Sequence, residues 1–326
     1  MRAIVFDQPG DERVLRLADV PPPVCGPDDL RIRVRATAAN RADLLQRQGM
    51  YPPPPGASPI LGLECAGEVI EVGANVRGWR VGERAMALIP GGGYAEEAVA
   101  HAGASMRVPD LLSDDEAGAL PEVFLTAFLN IFLLGEAPSG GSVLVHGGGS
   151  GVGTAAITLC KEAGLRVIVT AGSAAKCERC LAHGADVAIN YREGDFAPKV
   201  REATGGKGVE VVLDSIGAPY LAGNLAALAV EGRLVAIGLL GGARAEIDLA
   251  GLLMRRQRLI GSTLRSRSPA EKTAIVAAFR ERFGAALDAG RLRPVLDRVL
   301  PLAEAAEAHR LMKASEHFGK IGLRVA

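Results

Sequence analysis

The sequence predicts an α/β fold: a doubly wound parallel sheet joined to a β-rich domain whose chain starts before that sheet and finishes after it. Three observations predict this. From residue 143 onward, six apolar strand patterns alternate with helical ones, as in a parallel sheet covered on both faces. A glycine-rich turn, HGGGSGVG, follows the first of them. The first 110 residues instead carry a period of two broken by Pro and Gly, as half-buried strands do. With 326 residues the chain has room for about two ordinary domains, and 48% hydrophobic against 23% charged residues suits compact cores.

Along the chain, AIVF (3–6), LRIRVRA (30–36) and GEVIEVG (67–73) read as strands, the second with Leu30, Ile32 and Val34 on one face. MYPPPPGASP can be neither helix nor central strand, because successive prolines fix φ and remove amide donors, so it is a stiff loop. Ser113 with Glu116 forms a capping-box pattern, and Pro121 opens a second helix through PEVFLTAFLNIFLL. The six strands of the parallel sheet are VLVH (143–146), RVIVTA (166–171), VAIN (187–190), VEVVLD (209–214), RLVAIG (233–238) and LIGSTL (259–264). Ser268-Pro269 then starts a long helix ending near Gly290, followed by PVLDRVLPL, a helix through AEAAEAHRLMKAS and a last strand, KIGLRV, expected to rejoin the N-terminal β domain. The expected domains are 1–121 completed by 265–326, and 122–264.

Against the pattern G-x-G-x-x-G, the turn after the first parallel strand reads Gly148-x-Ser150-x-x-Gly153. Glycines there allow a tight turn and close backbone approach to a pyrophosphate, which rests on the helix N-terminus. Six alternating units with this turn on the first strand make it a Rossmann dinucleotide site, with Gly148, Ser150, Gly151, Val152 and Gly153 under the phosphates. An NAD site would place an acid at the end of the second strand, about 20 residues on. Here the chain reads TAGSAAK, so Ser173 and Lys176, with Tyr191 and Arg192 from the third strand, suit the 2′-phosphate of NADPH.

Charge and composition exclude other classes. Lys plus Arg equals Asp plus Glu at 37 each, so no net field draws nucleic acid or anionic membrane, and a small-molecule partner is expected. No apolar run reaches spanning length. Five cysteines without disulfide-like spacing suit a reducing, cytoplasmic setting. Cys177-x-x-Cys180 has no second pair and reads as chance placement on a helix face, and His146 and the other histidines show no ligand spacing.

The run NRADLLQRQGMYPPPPGAS, with LGLECAGEV, PGGGYAE, LPEVFLTAF, HGGGSGVGTAAI, GLLGG, STLRSR and FGKIGL, resembles the medium-chain dehydrogenase/reductase superfamily along nearly the whole chain. Within it the match is to the zinc-free NADPH:quinone oxidoreductases, zeta-crystallin-like and nearest the tumour-suppressor-inducible subgroup. The resemblance implies a GroES-like catalytic domain beside the Rossmann domain. In the superfamily's zinc alcohol dehydrogenases Gly-His-Glu places a histidine on the metal; here that position is Leu63, and the first zinc cysteine falls at Asn40. No metal site is therefore expected. Glu64, left in a buried-looking run, needs donors of its own, an arginine or backbone amides.

The resemblance further implies that Asn40 and Thr126 line the nicotinamide side and that Tyr51 faces the substrate. Leu240 and Gly241, with Leu264, Arg265 and Lys320, complete the cofactor set. Tyr51 and Asn40 would serve catalysis by positioning, in a cleft between the domains, with no dedicated general acid. The implied activity is NADPH-dependent quinone reduction by a homodimer formed along the edge strand LIGSTL. An enone or enoyl reductase on the same fold, or a non-catalytic NADPH-binding protein, are the alternatives.

Overall fold

A computed structural model describes residues 1–325, which fall into two compact units, Met1–Leu125 with the chain from Leu264 onward, and Thr126–Thr263.

The first unit is built on a seven-stranded sheet. Its path runs Leu296–Pro301, Lys320–Arg324, Asp29–Ala38, Glu64–Val72, Arg84–Leu88 and Ser105–Arg107, with Glu97–His101 also paired to Asp29–Ala38. The alternation in LRIRVRA decides its long central strand: Leu30, Ile32 and Val34 enter the core, while Arg31 turns outward to Glu97 (2.6 Å) and Glu71 (3.0 Å). Gly67 is required where this strand meets its neighbour, since a Cβ there would lie 1.9 Å from the Arg33 carbonyl oxygen. The C-terminal strand does rejoin this sheet, Gly322 lying opposite Ala38 in antiparallel register. Ser113 accepts the Glu116 amide as the capping pattern requires, and Ser268 does the same for the 20-residue helix Pro269–Asp288.

The second unit is a six-stranded parallel sheet. Across it run Val187–Asn190, Arg166–Ala171, Ser142–His146, Val209–Asp214, Leu228–Ala236 and Arg258–Gly261, which in chain order is 3-2-1-4-5-6. This is the doubly wound order, and its reversal between the first and fourth strands makes a crevice beyond their carboxyl ends. Two strands differ from the sequence reading. The fifth begins earlier, at Leu228, and the sixth stops at Gly261, so Ser262 to Leu264 lie outside it. As an edge strand the sixth is not fully apolar in its surroundings: Leu259 is 48% exposed. The helix from Pro121 is α-helical to Phe128 and widens to a π-helix over Leu129–Leu134.

Candidate functional site

In the second unit the strand Ser142–His146 passes through Gly147, at φ +71°, into the helix Gly151–Glu162. Ser150 caps that helix, its hydroxyl oxygen accepting the Gly153 amide at 3.0 Å. Helix geometry leaves the Gly151 and Val152 amides without intrahelical partners, at the positive end of a helix 12 residues long. Side chains are excluded at two points. A Cβ on Gly153 would stand 2.3 Å from the Gly147 carbonyl oxygen, and one on Gly148 would stand 2.6 Å from Val169 Cβ. Such a cradle fits a pyrophosphate.

Beside it, at the end of the second strand, Ser173 caps the helix Ala174–Ala182 by accepting the Lys176 amide at 3.2 Å. The Tyr191 hydroxyl stands over Gly172, 2.5 Å from where a Cβ would be, so Tyr191 and Ser173 flank one strand end. No acid lies in Thr170–Lys176. The GLLGG loop packs on the turn after the fourth strand, with Leu240 and Gly241 donating to the carbonyls of Ser215 and Ile216, and Leu240 is 56% exposed. Thr126 is buried at the start of this unit, and its carbonyl accepts from Asn130.

Below the crevice lies a polar chain. Asp214 accepts the Ile216 and Gly217 amides, and the Asn224 amide donates to it at 3.1 Å. That turns the Asn224 carbonyl toward His146 Nε2 (2.6 Å), so Nε2 donates and Nδ1 accepts the Thr170 hydroxyl (3.0 Å). Burial pushes His146 down to about 4, which keeps it neutral. It is structural, as the sequence reading has it. Cys177 and Cys180 are buried in the same unit, and burial raises both thiols, Cys180 to about 12; they are inert packing groups.

In the first unit Glu64 is held in part by a backbone amide, as expected, but the arginine alternative is wrong. Lys320 Nζ lies 2.8 Å from its Oε1, Asn40 Nδ2 lies 2.9 Å from Oε1, and the Glu122 amide donates to Oε2 at 3.0 Å. Lys320 also donates to the Asn40 side-chain oxygen (2.6 Å) and to the Ala39 carbonyl (2.9 Å), so its three N–H bonds are all spent inside this cluster. Lys320, expected among the cofactor-binding residues, here holds Asn40. Arg265 is similarly occupied. It donates to Pro90 O, Tyr51 O and Gln46 Oε1 at 2.7, 3.2 and 2.6 Å, with its guanidinium 5.3 Å from the centre of the Tyr51 ring. It fixes Tyr51 and its Pro-rich loop, and Leu264 beside it is buried.

Sequence reasoning missed two further features. Asp43, three residues after Asn40, accepts the amides of Asn40 (2.8 Å) and Gly62 (3.0 Å). Arg47 donates to His309 Nδ1, so Nε2 donates to Tyr94 Oη, whose hydroxyl then faces Asp43 at 3.4 Å. Burial raises Asp43 to about 6 and lowers His309 to about 3. Only the Asn40-x-x-Asp43 capping spacing could have signalled this chain. The second feature is Glu122. Burial and the neighbouring Glu64 carboxylate push it up to about 8, and its Oε2 is shut from solvent without a hydrogen-bond partner.

A zinc ion does not fit. Leu63 is a buried aliphatic side chain, Asn40 is committed at both its oxygen and its nitrogen, and among the described residues no group of three or more His, Cys, Asp or Glu could hold a metal.

Family models match two stretches: the alcohol dehydrogenase GroES-like domain over residues 26–110 and the zinc-binding dehydrogenase over residues 151–280. The phthioceranic/hydroxyphthioceranic acid synthase of Mycobacterium tuberculosis is 34% identical over 97% of this chain, which spans only 15% of that protein's length. The quinone oxidoreductase of Rattus norvegicus is 30% identical over 98% of this chain and 97% of its own. Among solved structures, an NAD-dependent alcohol dehydrogenase superposes with TM-score 0.87 at 35% identity, covering 100% of both chains. Mycobacterial Rv1454c complexed with NADPH gives 0.87 at 31%, covering 99% of this chain and 100% of that one. The CurK enoyl reductase gives 0.87 at 26%, covering 100% and 99%. The chain belongs to the zinc-free, quinone-oxidoreductase-like family of the medium-chain dehydrogenase/reductase superfamily.

Proposed function

We propose that the protein is an NADPH:quinone oxidoreductase that works without zinc. The carrying observation is the cluster of Lys320, Glu64 and Asn40, which fills with a fixed ammonium and its partners the place where a metal-dependent relative needs open ligands. An alcohol or unactivated carbonyl needs a Lewis acid for the developing alkoxide, whereas a quinone spreads the added charge over its ring. Bound reduced nicotinamide would supply the hydride. The Gly151 and Val152 amides hold the pyrophosphate, Thr126, Leu240 and Gly241 border the cofactor, and Asn40 fixes the nicotinamide edge. Tyr51, held by Arg265 and by the Pro52–Pro55 run, orients the acceptor at little entropic cost.

The testing experiment is stopped-flow NADPH oxidation with an ortho-quinone and with a simple enone. Quinone turnover is expected in the wild type, Tyr51→Phe should keep most of the rate, and Tyr51→Ala should lose about tenfold or more. If Phe proves as damaging as Ala, positioning is not the role of Tyr51. Reduction of the enone alone would favour the second reading, an enoyl reductase, which the likeness to the CurK enzyme supports. Binding of NADPH without turnover of either acceptor would leave a non-catalytic nucleotide-binding protein.

Preference for NADPH rests on Ser173, Lys176 and Tyr191 at a strand end without an acid. Lys176→Ala is expected to weaken NADPH by roughly 1.5–3 kcal/mol, the worth of a charged hydrogen bond, and to leave NADH nearly unchanged. Titration showing equal losses for both would place the 2′-phosphate elsewhere. The setting is proposed to be cytoplasmic; among the described residues no helix is long and apolar enough to cross a membrane. The short, partly exposed edge strand Arg258–Gly261 is proposed to pair with a second copy, giving a homodimer. A monomer in sedimentation at micromolar concentration would remove that idea.

A further inference from the structure

We propose that Glu122 is the proton donor of this reaction, delivering a proton to the carbonyl oxygen of the acceptor as it is reduced. The inference rests on the reductase reading above and deepens it. Glu122 stands in the first turn of the helix Pro121–Phe128, and its backbone amide is anchored on Glu64 Oε2 at 3.0 Å. That bond ties the backbone of Glu122 to the Glu64 carboxylate, whose charge reaches the Glu122 carboxyl, and the two carboxyls have unlike surroundings. Glu64 is fully buried, and its two carboxyl oxygens are bonded by Lys320, Asn40 and the Glu122 amide. Glu122 Oε2 receives no hydrogen bond at all, which suits a protonated acid. Paired carboxyls whose environments diverge in this way divide into a fixed charge and an acid.

The groups facing Glu122 come from every element around it. Glu64 and Asp43 disfavour its charge, Lys320 and Lys272 favour it, and burial outweighs both. Lys272 is itself committed, donating to the Arg265 carbonyl at 2.8 Å. Glu122 also acts on Tyr51, raising its phenol further after burial, and on Arg265, so the acid lies within electrostatic reach of the residue proposed to orient the acceptor. The residue keeps partial exposure.

The balance is simple. Hydride addition leaves an electron pair on the acceptor's carbonyl oxygen, as a hydroquinone anion or an enolate. The Glu122 O–H bond breaks, its proton forms an O–H bond on that oxygen, and the carboxylate left behind takes a proton from water. An enol so formed ketonises. Because an enolate is much the stronger base, the donor matters more for an enone than for a quinone.

The test has two arms, with Glu122→Gln as the variant. In the protein alone, a folded-state acid raised from 4.5 to about 8 adds stability below 4.5 that is lost as pH rises through about 8. The denaturation midpoint of the wild type should therefore fall over that window, and that of E122Q should fall less. Identical pH–stability curves would overturn the proposal. In stopped-flow assays at pH 7, E122Q should lose about 10²-fold in enone reduction, the usual lower worth of general acid catalysis, and clearly less with a quinone. Wild-type enone turnover should decline above pH 8, a decline absent from E122Q. Equal rates and profiles overturn the role of Glu122 alone; a wild type inactive on both acceptors overturns the reductase reading and this inference together. Should E122Q fail to fold, the wild type must still show a solvent deuterium isotope effect on enone turnover, and its absence would also refute the donor.

Discussion

Lys320→Met is expected to destabilise the protein by about 3–5 kcal/mol, the cost of leaving a buried carboxylate without its partner. Glu64 has no solvent to fall back on, and the same ammonium holds Asn40 and the Ala39 carbonyl. The closing strand carrying Lys320 is also the one that pairs with Asp29–Ala38, so the loss falls on the seam that joins the two chain segments of the first unit. Urea denaturation of Lys320→Met, Glu64→Gln and the double variant would measure this. The double variant should recover a substantial part of the loss, since it removes the stranded charge. If it is as unstable as Lys320→Met, the damage is one of packing and the account of a charge-compensated cluster fails.

Gly153→Val is expected to abolish nucleotide binding, weakening it by roughly 10²-fold or more, about 2.7 kcal/mol. A Cβ at this position would lie 2.3 Å from the Gly147 carbonyl oxygen and 2.6 Å from that of Gly148, and backbone cannot yield as a flexible side chain would. The turn must open, which moves the Gly151 and Val152 amides away from any pyrophosphate. The parallel sheet should survive, because its strands bury Val143, Leu144 and Val145 independently of the turn. Fluorescence titration with NADPH, alongside far-ultraviolet circular dichroism, separates the two effects. Wild-type affinity in a folded variant would mean that the phosphates do not rest on this helix.

Much of the architecture was legible in the residues because its causes are local. Apolar runs of strand length separated by helical patterns dictated the parallel sheet, and alternation in LRIRVRA set which face of its strand is buried. Ser113 and Ser268 read as helix starts and each caps one in the structure, whereas the capping by Ser150 and Ser173 became visible only there. The end of the sixth strand was less legible, since an edge strand stops where its neighbour stops rather than where its own apolar run does, and the early start of the fifth is set by its pairing of Leu228 with Val209 on the fourth.

The candidate site divides along the same line. The glycine turn, the missing acid after the second strand and the absence of ligands at Leu63 and Asn40 are properties of single positions, and could be read there directly. What Glu64, Lys320, Arg265 and Glu122 do depends instead on how the chain folds back on itself. Lys320 and Glu64 are 256 residues apart in the chain, Arg265 and Gln46 are 219 apart, and no spacing rule reaches that far. A buried charge takes its meaning from whichever donors the fold brings within 3 Å. For Glu64 these complete a salt bridge, and for Glu122 Oε2 none arrives, so the same kind of side chain is tied down at one position and left as the proposed acid at the other.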